Sequence, residues 1–327
     1  MHFLLLLFYF LSLDEKAVMR MAYLVCLAAI PLLSYQQLYS YYTTGSMLTL
    51  TPYYRAQGMM SDPNEFAKNV VVVILVLFFI IFFENIATSL KLICFACIGI
   101  MLSLLVWSGS RGGFVMLALG IFLFWLLLFR HLERRLKNIY YISMVLALAV
   151  LAIFLSKYDY FSLRFSGLMG GDASRASMVS EGLQLLFRGK LFNFLFGYGA
   201  EAWPSHVFLS IFPHNFIIEY LFEFGYVLGL ALLATLAAVL LFPLWQGRRI
   251  YCQNFIGLRE YRLLKMLFIV AFCASIPSLF NHILPTNFTF IFFTGLYLSL
   301  YRFLRERGAA GQVKRGAMGC AEQQRPC

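Results

Sequence analysis

The sequence predicts an all-α fold: a polytopic transmembrane helix bundle of about eight full spans plus an N-terminal stub, with one large loop on the outer side. Three observations predict it. The chain has 327 residues, of which 61% are hydrophobic and only 13% charged, with a mean hydropathy of +0.79; a soluble domain is nearer half apolar and a quarter charged. The apolar residues are gathered in long runs such as "VVVILVLFFIIFF" at 71–83, and a bilayer-crossing helix needs about 20 mostly apolar residues. Alternating ten-residue strands, the signature of a membrane barrel, are absent from the sequence.

The elements follow in order. Residues 3–13 are apolar but too short to cross a bilayer. They lack the basic start and small-residue cleavage site of a signal peptide, and read as the end of a helix whose beginning is missing. Spans are expected at 17–39, 67–83, 89–107, 112–129 and 139–156. A mixed segment at 157–213 comes next, then a long apolar run at 214–245, and a final hairpin of spans at 265–280 and 286–303. The chain thus divides into N-terminal transmembrane helices (1–156, with an outer loop at 40–66), an outer loop or lid (157–213), C-terminal transmembrane helices (214–303) and a polar tail (304–327) expected to be disordered.

Basic residues set the orientation. Of the 26 Lys and Arg, 18 fall in one set of alternating loops, among them Arg130, Arg134, Arg135, Lys137, Arg248 and Arg249. That set is therefore cytoplasmic, which places the tail inside and the segment 157–213 outside. The same placement answers the net charge of +11: the charge sits between apolar runs, where it sets topology, and argues against nucleic-acid binding. Of the seven cysteines, Cys94 and Cys97 have C-x-x-C spacing but no other soft ligand nearby, so they read as small packing residues rather than a metal or redox pair. No metal-carboxylate cluster, phosphate-binding loop, H-E-x-x-H or G-x-S-x-G pattern stands out in the sequence, and the missing phosphate-binding loop argues against ATP-driven work.

Several polar residues at the outer ends of the spans need a reason. Arg111, in "WSGSRGGF", lies where one outward-ending span hands over to the next. It is either a guanidinium placed for phosphate, flanked by glycines that leave the backbone open to a ligand, or a snorkelling residue in a tight interfacial turn. In the outer loop, Asp172 or Ser174 is placed to cap a helix whose Met178, Leu185 and Leu186 share one face, an amphipathic element resting on the membrane surface. Arg175 lies at its start, with Arg164 and Arg188 as further cations; each is a second anion clamp or a solvated loop residue. In "FPHNFIIEYLFEFG" at 212–225, His214 and Asn215 follow Pro213, a residue favoured in the first turn of a helix. The positive helix end there favours the neutral imidazole that general-base chemistry needs. Glu219 is one turn from Asn215, and Glu223 one turn further. A continuous helix over 216–242 would be roughly 40 Å long, exceeding the roughly 30 Å hydrocarbon core and projecting its first turns outward. The Asp62-Pro63-Asn64 step reads as a turn and helix cap, His282 reads as a loop histidine of the final outward turn, and His2, His131 and His206 have no supporting constellation.

The order "SDPNEFA", "SGSRGGF", a large outward loop with "SRAS" and "FGYG", then "PHNFIIEYLFEFG" resembles the O-antigen ligase and O-antigen polymerase superfamily of bacterial inner-membrane glycosyltransferases. The resemblance covers about residues 51–303. Members of the ligase branch carry a His-Asn/Ser/Gln pair, nine residues, then spaced glycines; here His214 and Asn215 precede Gly225, and the next glycine, Gly229, falls one position later than usual. The resemblance implies transfer of a glycan from an undecaprenyl-diphosphate carrier on the periplasmic face, to lipid A-core in a ligase or to another lipid-linked repeat in a polymerase. It implies that Arg111 and Arg175 hold the diphosphate leaving group, that His214 activates the acceptor hydroxyl, and that no metal or cofactor is needed, since the arginines supply the charge and the carrier lipid is an activated donor; Asn215, Arg164, Arg188 and Glu219 are the further candidates for substrate contact. Two other readings stand beside it. A transporter would show paired ionisable residues near the midplane and internal repeats, neither of which the sequence has. An inactive remnant is the third.

Overall fold

The computed structural model describes residues 14–44, 63–132, 173–199, 202, 216–253, 255–275 and 288–323, with parts of 134–145. Every regular element among them is helical: α1 (Glu15–Thr44), α2 (Pro63–Phe83), α3 (Thr88–Ser108), α4 (Arg111–Leu128), a 3₁₀ turn (Phe129–His131), α5 (Ala173–Arg188), α6 (Leu191–Phe196), α7 (Phe216–Cys252), α8 (Leu258–Ser275) and α9 (Phe288–Gln323). Four stretches are long and apolar enough to cross a membrane: Lys16–Tyr35, Asn64–Phe83, Thr88–Ser108 and Tyr220–Cys252; Gly112–Leu128 is apolar but shorter. The expected spans at 265–280 and 286–303 fall on α8 and α9. That at 139–156 lies almost wholly outside the described residues, as does the stub.

The bundle is built around α2 and α8. Nearly every α2 side chain from Phe66 to Phe82 is buried, and so is the run from Leu263 to Ala271 of α8. Helices that are apolar all round belong either in a core or in lipid, and these two take the core. The outer helices show the other solution: Leu24 and Leu32 of α1, Leu92 and Ile93 of α3, Phe122 and Trp125 of α4, and Val227 and Leu228 of α7 are exposed. Lipid is as apolar as leucine, so close packing and hydrogen bonds, not expulsion from water, must hold such helices together. Gly120 shows how: a Cβ there would lie 2.8 Å from both Leu75 methyls and 3.3 Å from Cys273 Sγ. Its missing side chain seats α4 on both central helices. Tyr297 Oη donates to the Leu240 carbonyl (2.8 Å), tying α9 to α7.

Charges join the helix ends opposite the candidate site described below. Glu84, just after α2, takes the Tyr23 hydroxyl (3.0 Å) and Arg259 Nη2 (2.8 Å). Lys265 donates to the Leu127 carbonyl at the end of α4 (2.7 Å) and lies 2.9 Å from His131 Nε2, while Arg262 donates to the His131 carbonyl (2.8 Å). These cations meet carbonyls that a helix C-terminus leaves without an intrahelical partner. His131, which has no constellation in the sequence, has one in the fold.

Two expectations are corrected. The residues read as a disordered tail from 304 onward continue α9 as helix to Gln323. Leu304 is fully buried, Gly308 lies against Ile250 and Gly311 against Phe255, and Arg307 pairs with Glu260 at 3.4 Å. No proline lies between Pro285 and Pro326, and packing extends the helix. The second correction concerns the run 216–242. It is not one straight helix: α7 is broken at Gly225, whose φ of 70° and ψ of −178° are non-helical.

Candidate functional site

Four sequence motifs meet in two pairs at one end of the bundle. The first pair joins the start of α2 to the α3–α4 junction. Pro63 opens α2, where its fixed φ and missing N–H are tolerated. Gly109 ends α3 in the left-handed region (φ 56°, ψ 23°), its N–H bonded to the Val106 carbonyl. Ser110 then caps α4, its Oγ accepting from the Gly113 N–H at 3.1 Å. The same hydroxyl donates to Asn64 Oδ1 at 2.6 Å. A Cβ on Gly113 would lie 2.7 Å from Ala67 Cβ, so "SDPNEFA" and "SGSRGGF" are packed as one unit. Ser108 and Ser110 are fully buried, and so is Lys68, which pairs with Glu65 one turn earlier.

Arg111 is the first residue of α4. The buried Ser110–Asn64 joint fixes its backbone, and the partial positive charge of the helix N-terminus adds to that of a guanidinium carried there. This combination suits a phosphate or diphosphate.

The second pair joins "FGYG" to "FEFG". Gly197 ends α6 with φ 80° and faces Gly225 with φ 70°. A Cβ on Gly197 would lie 2.1 Å from the Glu223 carbonyl oxygen; one on Gly225 would lie 2.4 Å from Gly197 N and from Leu195 C and O. The two backbones touch, and only glycine at both positions permits it. Tyr198 N–H donates to the Phe222 carbonyl (3.0 Å) and Gly199 N–H to the Glu223 carbonyl (2.9 Å). The Tyr198 ring stacks on Phe222 at 4.7 Å, and its hydroxyl donates to the Leu185 carbonyl (2.9 Å). Phe194 stacks on Tyr226 at 4.5 Å. Leu186, Ala202 and Phe222 form a small core of their own beneath these contacts. The α5–α6 segment is thus clasped to the first half of α7, with Glu223 buried at the joint. Gly229 completes the bend, since a Cβ there would lie 2.9 Å from the Tyr220 carbonyl.

Both pairs belong to the same end. Lys265, near the start of α8, meets the last turn of α4, so the end of α8 lies beside the start of α4. Gly247, late in α7, packs on Leu264, and Thr289 at the start of α9 donates to Asn69 near the start of α2 (2.6 Å). Ile217 and Tyr220 of α7 pack against the main core.

The predicted site residues are placed unevenly. Arg111 opens α4, Arg175 is in the first turn of α5 and Glu219 in the first turn of α7. Arg188 ends α5 and is exposed. His214, Asn215 and Arg164 lie outside the described residues. Asn64, Ser110, Gly197 and Tyr198 are the organising residues that sequence reasoning did not nominate. The available signal for Ser110 was a cap residue following a helix-ending glycine, and for Asn64 its place in the Asp62-Pro63-Asn64 step. Among the described residues, no group of three His, Cys, Asp or Glu is placed to hold a metal ion.

The class these observations define is an all-helical membrane protein. The sequence matches no protein-family model and no curated protein.

Proposed function

We propose that the chain is an O-antigen ligase-like glycosyltransferase of a bacterial inner membrane. In this reading it moves a glycan from undecaprenyl diphosphate to an acceptor such as lipid A-core on the periplasmic face, with the C-terminus cytoplasmic. The observation that supports this most is the pairing of motifs: the four segments whose order carries the resemblance pack two by two at one end of the bundle. The chemistry is a displacement at the anomeric carbon. The acceptor oxygen forms the new glycosidic bond as its proton passes to His214, and the bond to the diphosphate breaks with its electron pair leaving on phosphate. Arg111 and Arg175 balance that growing charge, which such groups do best in a site that excludes water. Neutral His214 acts as base. Asn215, Arg164, Arg188 and Glu219 line the substrate.

The experiment is alanine substitution of Arg111, Arg175 and His214 singly, with glycan transfer and protein level read together. The proposal expects transfer lost in each with the protein retained; transfer kept in all three overturns it. A deletion strain separates the branches. Lipid-linked polymer accumulating without polymer on lipid A-core marks a ligase. Single-repeat caps mark a polymerase, the second reading, which the displaced Gly229 keeps open.

A further inference from the structure

The helix α6 has the sequence "LFNFLF", five apolar residues in six, and none of them is buried. Leu191 is 72% exposed, Phe192 67% and Phe196 46%, and Phe187 at the end of α5 is 60% exposed. These four side chains make one apolar surface at the α5–α6 corner, where Phe187 contacts Phe194 and Phe192 contacts Phe196. The exposure does not come from a loose corner. Gly189 is turned by its N–H bond to the Leu185 carbonyl, and the Tyr198 hydroxyl holds the same carbonyl. Leu186 beneath it is buried at 1%. A well-packed segment therefore presents its phenylalanines outward.

The covering medium follows from position. Phe194 and Phe187 both contact Tyr226, which lies just past the Gly225 break, where the long apolar part of α7 begins. Val227, Leu228 and Leu230 of that part are about half exposed, as lipid-facing residues are. The apolar surface of the corner is thus continuous with the lipid-facing surface of a membrane-crossing helix, at its end. Arg188 and Lys190, both exposed, flank Gly189 in the middle of the corner. Aromatic and leucine side chains on one side with cations beside them are the make-up of an element seated at the headgroup boundary.

We propose that the α5–α6 corner is a membrane-interface wedge that docks on anionic phospholipid. Phe187, Leu191, Phe192 and Phe196 enter the boundary between headgroups and acyl chains, and Arg188 and Lys190 meet lipid phosphates. The wedge anchors the outer segment, and through the Gly197–Gly225 clasp it fixes that segment to α7. This inference does not depend on glycan transfer.

The test uses the full chain in lipid nanodiscs with p-benzoyl-phenylalanine incorporated at position 192. A second version carries it at position 126, where exposed Leu126 of α4 serves as a lipid-facing reference. After illumination, intact mass reads the adducts. The wedge predicts phospholipid adducts at both positions. In mixed discs, phosphatidylglycerol should be enriched over phosphatidylcholine at 192, by about fivefold for each of the two basic residues, with the ratio at 126 as the internal reference. The R188Q/K190Q double variant should return the ratio at 192 to that of the disc while leaving 126 unchanged, which shows that the bundle is intact. Adducts at 192 to a second protein chain, or none to lipid while 126 labels normally, overturn the wedge. Lipid adducts at 192 without enrichment of the anionic lipid overturn the assignment to Arg188 and Lys190.

Discussion

Replacing Gly225 by alanine should open the clasp between the outer segment and α7. Gly225 has φ 70° and ψ −178°, a region open essentially to glycine, which costs another residue about 2 kcal/mol. The new methyl would also sit 2.4 Å from Gly197 N and from the Leu195 carbonyl carbon and oxygen. These are backbone atoms on both sides, so no side-chain rotation relieves the contact. The backbones must separate, and the Tyr198 and Gly199 amide bonds to Phe222 and Glu223 go with them, at about 1 kcal/mol each. The combined loss is about 4 kcal/mol, or close to a thousandfold in the local opening equilibrium. Hydrogen exchange in nanodiscs reads it directly. The amides of Tyr198 and Gly199 should lose most of their protection, while α2 and α8 keep theirs. G99A is the control, because a Cβ on Gly99 meets nothing within 4 Å. Unchanged protection at Tyr198 and Gly199 in G225A would refute the clasp. Protection lost throughout the bundle would refute its local character.

Three further outcomes follow from the packing. S110A removes the cap of α4 and the donor to Asn64; it should lower the stability of the detergent-solubilised protein by about 1–2 kcal/mol, read as an earlier unfolding midpoint in a denaturing-detergent titration. G120A should cost about 1–3 kcal/mol by overpacking against Leu75 and Cys273, and a second change that shortens Leu75 to alanine should recover part of it. K265M removes the donor to the Leu127 carbonyl and the contact with His131; the loss of about 1–3 kcal/mol should add less than fully to that of H131A, because both break one cluster.

Much of the architecture was legible because it rests on local patterns. Apolar runs marked the four stretches that are long and apolar enough to cross a membrane among the described residues, and α2, α3 and α4 begin and end within a few residues of where hydropathy and turn chemistry put them. Pro63 at the start of α2 and Gly109 before Ser110 are backbone signals that work the same way in any fold. The helix at 173–188 was legible, but its Leu185–Leu186 face, expected to rest on the membrane surface, packs instead on a small protein core with Ala202 and Phe222. The tail was misread because polar composition speaks for disorder, whereas Leu304, Gly308 and Gly311 are ordered by Ile250 and Phe255 on other segments. The site was legible as a set of motifs but not as contacts. Asn64 carries no mark in the sequence that its partner is Ser110. The spacing of Gly225 and Gly229 was visible, but the reason for Gly225 is Gly197, which reaches it from a different helix.

The sequence also shows that "LFNFLF" is apolar without showing what covers it. In a soluble chain that pattern would mean protein packing. Here Leu191, Phe192 and Phe196 stay exposed while Phe194 stacks on Tyr226, beside the first lipid-facing turn of α7. The same physics links both halves of the outer segment. Glycine lets its backbone lie against α7 where a side chain would hold it away, and in that close seat Leu191, Phe192 and Phe196 face outward. The clasp and the exposed wedge are therefore coupled, and G225A should weaken lipid cross-linking at position 192 as well as amide protection at Tyr198. If protection fell while lipid adducts at 192 stayed at the wild-type level, the wedge would be anchored to the membrane without help from α7, and the coupling would be wrong.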